Sequence, residues 1–134
     1  MHMMFYLNTM IIIILYKIAT PDTPGTPSVD RVGKDFVDLS WSKPIKDGGN
    51  KITGYQVEKR KKGGPWEPAT DRPVTGNQVT IPNLDENEEY EFRVKAVNAA
   101  GPGEPSEPTL PTKIFDKTCK NYNIFNSNYL FSFI

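Results

Sequence analysis

From Tyr90 to Ala96 every second residue is apolar (Tyr90, Phe92, Val94, Ala96), and the residues between them, Glu91, Arg93 and Lys95, are charged. A backbone whose side chains alternate between two faces is a β-strand, so this segment offers one face to a core and one to water. The same period of two sets Val37, Leu39 and Trp41 against Asp38, Ser40 and Ser42, and Tyr55 and Val57 against Gln56 and Glu58. Shorter runs fall at Ser28 to Val32, from Trp66 toward Ala69, and at Val79 and Ile81. Pro44 with Asp47-Gly48-Gly49-Asn50, then Gly63-Gly64-Pro65, Pro82-Asn83 and Gly101-Pro102-Gly103 punctuate the runs with turn chemistry. Ser106 to Thr112 supplies a last, proline-bounded edge strand. Seven short strands at this spacing predict an all-β sandwich, and no amphipathic helix is expected among them. The apolar phases name the core: Val37, Leu39, Trp41, Tyr55, Val57, Ile81, Tyr90, Phe92 and Val94, with Trp41 as its largest contributor.

At 134 residues the chain holds one ordinary domain. Its formal net charge is zero, which argues against a general polyanion binder and hence against nucleic acid. The basic run Lys59-Arg60-Lys61-Lys62 has no interleaved aromatic residues on which bases could stack. The only cysteine, Cys119, rules out an internal disulfide, which fits a reducing compartment. The only histidine is His2, near the start of the chain, so nucleophilic catalysis and histidine-based metal sites lack their base or ligands. The acidic group Asp85, Glu86, Glu88, Glu89 and Glu91 lacks the spacing and central glycine of a calcium loop, and reads as a solvated turn. No enzyme, no cofactor and no metal are expected.

The two ends differ from the middle. Met1 to Tyr16 is almost wholly apolar around Ile11-Ile12-Ile13-Ile14-Leu15. It is short for a membrane span, and its nearest basic residue, Lys17, follows it where a signal peptide would place the charge before. Ile114 to Ile134 repeats Asn, Tyr, Phe, Ile, Ser and Lys without period. The expected organisation is a leader or translated non-coding segment over 1–20, a domain over 21–113, and a disordered tail over 114–134.

Within the middle region, Val37-Asp38-Leu39-Ser40-Trp41, Leu84 six residues before Tyr90, Tyr90-Glu91-Phe92-Arg93-Val94, Asn98 and Gly101 resemble the fibronectin type III domain. The resemblance implies a seven-stranded immunoglobulin-like sandwich in which Leu84 joins the core and the buried Tyr90 ring sends its hydroxyl back to nearby backbone. Asp47-Gly48-Gly49, Ile52-Thr53-Gly54-Tyr55 and Val57-Glu58-Lys59-Arg60 are similar to copies in giant muscle proteins of the titin and twitchin type. The lead-in Pro21 to Pro27 resembles an interdomain linker of such arrays. That likeness implies a non-enzymatic, cytoplasmic and sarcomeric scaffold repeat. Its implied partners are neighbouring immunoglobulin-like or fibronectin domains and filament proteins, myosin among them. It also implies that the basic run and the acidic turn before Tyr90 share one pole, either as weak surface pairing or as a polar seam that orients a neighbour. Candidate partner contacts are therefore Lys59, Arg60, Lys61, Lys62 and Trp66. The alternative is a fragment of a secreted or cell-surface adhesion or receptor protein, with a membrane involved only if the first segment is a true anchor.

Overall fold

A computed structural model describes residues 19–117. Its strands are β1 (Ser28–Val32), β2 (Val37–Ser40), β3 (Gly54–Lys61), β4 (Glu67–Pro68), β5 (Gln78–Ile81), β6 (Glu89–Asn98), β7 (Gly101–Pro102) and β8 (Thr112–Lys113). They form a three-stranded sheet in the order β1-β2-β5 and a larger sheet in the order β4-β3-β6-β7, with β8 also pairing β6. All pairings are antiparallel, and the longest places Tyr55 opposite Ala96, Val57 opposite Val94 and Lys61 opposite Tyr90. The alternation expected along β6 is observed residue by residue: Tyr90, Phe92, Val94 and Ala96 are buried and the residues between them are half-buried.

All ten expected core residues are buried, joined by Val32, Ala96 and Ile114. Trp41 lies one residue beyond β2 and meets Tyr55 edge to face at 5.4 Å between ring centres. The largest fully buried side chain is Phe92, while Trp41 keeps 7% of its surface exposed. Phe92, in the middle of the longest strand, is thus the centre of the core.

Two expectations need correction, the start of the tail and the last edge strand. The lead-in, already inside the expected domain of 21–113, is tied into the sandwich: the Ala19, Asp22 and Gly25 amides donate to the carbonyls of Gly48, Lys46 and Ser42, and Pro21, Pro24 and Pro27 are buried. The tail does not begin at residue 114. Ile114 is fully buried in the core, and its backbone exchanges hydrogen bonds with Glu88 and Asn87. An apolar side chain next to the last strand fills the core whatever the composition of the residues after it. The ordered unit therefore includes Ala19 at one end and Ile114 at the other, while residues 1–18 and 118–134, with His2 and Cys119, lie outside the described residues.

The final edge strand is also broken. Between β7 and β8 prolines remove ladder donors, and only Gly103, Ser106 and Thr109 reach β6, donating to the carbonyls of Ala96, Val94 and Phe92. The short β4 likewise ends before Ala69, whose amide bonds to the Val57 carbonyl.

Candidate interaction surfaces

Because β3 and β6 bury one phase each, their other phase builds a continuous outer face. Register sets Glu58 opposite Arg93 and Arg60 opposite Glu91. Glu58 accepts from the Arg93 Nε–H and, at 2.8 Å, from the Lys95 ammonium; Glu91 accepts from the Arg60 Nε–H. Burial alone would push the Glu58 carboxyl up, but the hydrogen bonds from Lys95 and Arg93 outweigh it and hold the group below the usual glutamate value. Trp66, half-buried just before β4, lies against this face. The guanidinium carbons of Arg60 and Arg93 stand 4.4 and 4.3 Å from the centre of its ring. Each cation thus has its Nε held by a carboxylate and its plane held near the indole, so the group is pre-ordered.

The strand alternation that makes this face also divides the basic run. Arg60 joins Trp66. Lys59 turns to the sheet edge, 3.9 Å from Glu67. Lys61 and Lys62 stand at the pole where the chain leaves the domain, on Asp85 at 2.8 Å and on Glu89 at 3.4 Å. The basic run and the acidic turn do share a pole, together with Lys113, which pairs with Glu89 in the ladder. Lys61 raises no barrier to its own charge: its hydrogen bond to Asp85 pushes the ammonium pKa up and the carboxyl pKa down. Both groups are exposed, so solvent screens the pair and it adds little to stability.

The acidic turn is held in shape by Tyr90. Its ring is buried, and its hydroxyl accepts a hydrogen bond from the Asp85 amide at 3.1 Å. Leu84, also buried, closes the other side, and Asn87 takes the left-handed conformation at φ 69°, which asparagine tolerates better than most side chains.

The opposite pole is knotted by Asn98. Its side-chain amide donates to the carbonyls of Ala19 and Asp47 at 2.7 Å each, and its Oδ1 accepts from the Ala100 amide. One buried residue thereby joins the lead-in, the Asp47 turn and the turn after β6. Beside it opens a cleft of about 1130 Å³ between the lead-in, the loop from Lys43 to Thr53 and the loop Thr75 to Asn77. Tyr55 lines it, and the Tyr55 hydroxyl is buried with no protein partner.

Sequence reasoning brought Arg60 and Trp66 to the list of contacts but missed Glu58, Glu91, Arg93 and Lys95. Their signal was present as the polar phase of β3 and β6, and only the register shows which of them meet. Among the described residues no group of three or more His, Cys, Asp or Glu is placed to hold a metal ion.

Comparison with known proteins is in line with this architecture. Residues 22–112 match the family model of the fibronectin type III domain. Fast-type myosin-binding protein C of Homo sapiens is 38% identical over 100 residues, which are 74% of this chain and 9% of that protein. A crystal structure of titin domains superposes with a TM-score of 0.69 at 38% identity, covering 72% of this chain and 33% of that one. The twitchin kinase region of C. elegans superposes with a TM-score of 0.71 at 36% identity, covering 76% and 18%. The chain thus spans under a tenth of the curated relative and a minor part of each of these solved structures.

Proposed function

The chain belongs to the fibronectin type III family, and from that premise we propose that it is a non-enzymatic structural and protein-interaction module, one repeat of a titin- or twitchin-like sarcomeric scaffold. Its work is geometric. A stiff sandwich separates its two poles and offers a prepared face to filament proteins, myosin among them, in the cytoplasm of muscle. The observation that carries this reading is the Trp66 platform. Trp and Arg are the side chains on which protein interfaces concentrate their binding energy, and here they are fixed before any partner arrives. The muscle relatives support the setting, since one of them is named for binding myosin.

The test is co-sedimentation of the full chain with myosin filaments. Wild type is expected to pellet with them, and Trp66→Ala and Arg93→Ala to lose most of the bound fraction. Thr80→Ala, on the outer face of the smaller sheet, is expected to bind like wild type. Equal binding by all variants, or none by wild type, would remove the platform from the reading. The apolar Met1 to Tyr16 keeps a second reading in play, a secreted or cell-surface adhesion fragment. A reporter fused behind residues 1–20 is expected to stay in the cytosol, and its export would favour that reading instead.

A further inference from the structure

Between β7 and β8 the chain is tied to β6 at every third residue, through the Gly103, Ser106 and Thr109 amides. Proline-rich backbone with three residues per turn has three faces. The face of Gly103, Ser106 and Thr109 is buried against the sandwich, where the two hydroxyls accept the Val94 and Phe92 amides. The other two faces are left outside. Pro105 and Pro108 are half-buried and Pro111 exposed on one, and Glu104, Glu107 and Leu110 are exposed on the next. Side by side they form a ridge of three pairs, Glu104-Pro105, Glu107-Pro108 and Leu110-Pro111. Leu110 keeps 86% of its surface in water, and among the described residues only Ile45 is another large apolar side chain left so exposed. Past the ridge stands Lys113, also exposed. Glu89, opposite it in the ladder, is engaged by Lys62, so Lys113 has no ion pair among the described residues. Pro21, Pro24 and Pro27 share the spacing but are buried, so the lead-in offers no such ridge.

From this we infer that the segment Glu107 to Lys113 is a docking ridge for an SH3-type domain, one whose aromatic-lined groove carries an acidic rim. Such grooves take two prolines spaced three apart on preformed proline-rich backbone. Pro108 and Pro111 supply that spacing, Leu110 supplies apolar surface between them, and Lys113, two places on, meets the acidic rim. Thr109 and Thr112 fall on the third face, which turns away from such a groove. Those are the residues that hold the segment to its own sandwich: the Thr109 hydroxyl takes the Phe92 amide, and Thr112 pairs with Tyr90 in the ladder. The stitching that stands in for a regular strand thus also orders the ridge before a partner arrives, which lowers the entropy that binding costs. The ridge follows the edge of the larger sheet opposite β4, so it is separate from the Trp66 platform and independent of the myosin reading.

The experiment is a titration of an unlabelled SH3 domain into ¹⁵N-labelled full chain, followed by amide shifts. The SH3 domain is first checked on a synthetic Pro-x-x-Pro-x-Lys peptide, so that its groove is known to be competent. Shifts are expected at Glu107, Leu110, Thr112 and Lys113, with Trp66 and the Lys43–Thr53 loop silent. Leu110→Ala is expected to weaken binding about tenfold, because it takes apolar surface out of the groove. Lys113→Glu is expected to weaken it several-fold and to remove its dependence on salt. Ile45→Ala, at the other exposed apolar side chain, is expected to bind like wild type. The three substituted positions are exposed, and unchanged amide dispersion shows that the variants remain folded. A free peptide of residues 106–115 is run beside the chain. Binding by the peptide with the chain silent would mean that the folded ridge does not reach the groove. Silence of both would mean that the segment is not read at all. Either result, shifts centred on another surface, or Leu110→Ala and Lys113→Glu binding like wild type would overturn the inference.

Discussion

Two stretches of this chain place a proline at every third position: Pro21, Pro24 and Pro27 before β1, and Pro102, Pro105, Pro108 and Pro111 after β6. A period of three suits proline-rich backbone, which forms no internal hydrogen bonds and must find partners elsewhere. The two runs solve that problem in opposite phase. In the first the prolines are buried and act as apolar filler, while Asp22 and Gly25 donate to Lys46 and Ser42. In the second the prolines are outside or half-buried, and Gly103, Ser106 and Thr109 are buried in their place. There the Ser106 and Thr109 hydroxyls accept the Val94 and Phe92 amides at 3.0 and 3.1 Å, acting as the acceptors a regular strand would supply from its carbonyls. The runs meet where a Cβ on Gly103 would stand 2.1 Å from the Pro21 carbonyl oxygen. The same spacing thus makes a filler on one side of the sandwich and a side-chain-stitched edge on the other.

The stitched edge is anchored on the residue at the core's centre, so the largest effect is expected there. Phe92→Ala should destabilise the domain by about 3–5 kcal/mol in urea unfolding, with Trp41→Ala in that range and not above it. A larger loss at Trp41 would return the centre of the core to the smaller sheet's side. Thr109→Val keeps the shape and deletes the hydroxyl, leaving the Phe92 amide buried and unpaired, at a cost of about 1–3 kcal/mol. Hydrogen exchange should quicken at Phe92 first, and unchanged protection there would mean that the hydroxyl is no substitute for a strand. Tyr90→Phe applies the same test to a hydroxyl outside either run, and about 1–3 kcal/mol is again expected from the orphaned Asp85 amide. Stability equal to wild type would show that water serves that amide equally well.

The phase difference itself is tested by two prolines. Pro24→Ala removes buried methylenes and should cost about 1–2 kcal/mol. Pro108→Ala mainly loosens the unfolded chain, and should cost less than about 1 kcal/mol. Equal losses would mean that the runs are equivalent after all. The smallest effect expected is that of acid. The Glu58 carboxyl is held below its ordinary value of 4.5, so the stability it contributes is present above that pH and is lost as pH falls below it through the folded value. Glu58→Gln should flatten this limb of the stability curve, and an unchanged limb would assign it to other carboxylates.

Of the surfaces proposed for function, the sequence showed Trp66 and the basic run but not their grouping. Alternation sends Arg60 to the Trp66 face and its neighbour Lys61 to the pole, so four consecutive cations do not make one patch. The polar knot at Asn98 was visible only as a family residue, because its partners lie 79 and 51 positions away.

By itself the sequence determined the strands that alternate with a period of two, nine core residues on their apolar phase and the turn chemistry between them. These are local properties, since one strand's pattern already says which face is buried. Only the tertiary structure decided which strands pair, that Glu58 meets Arg93, that Ile114 closes the core, and that two proline runs of one period take opposite phases. Those outcomes depend on what lies across the sheet or under the edge, and a residue's own neighbours in the chain carry no record of that.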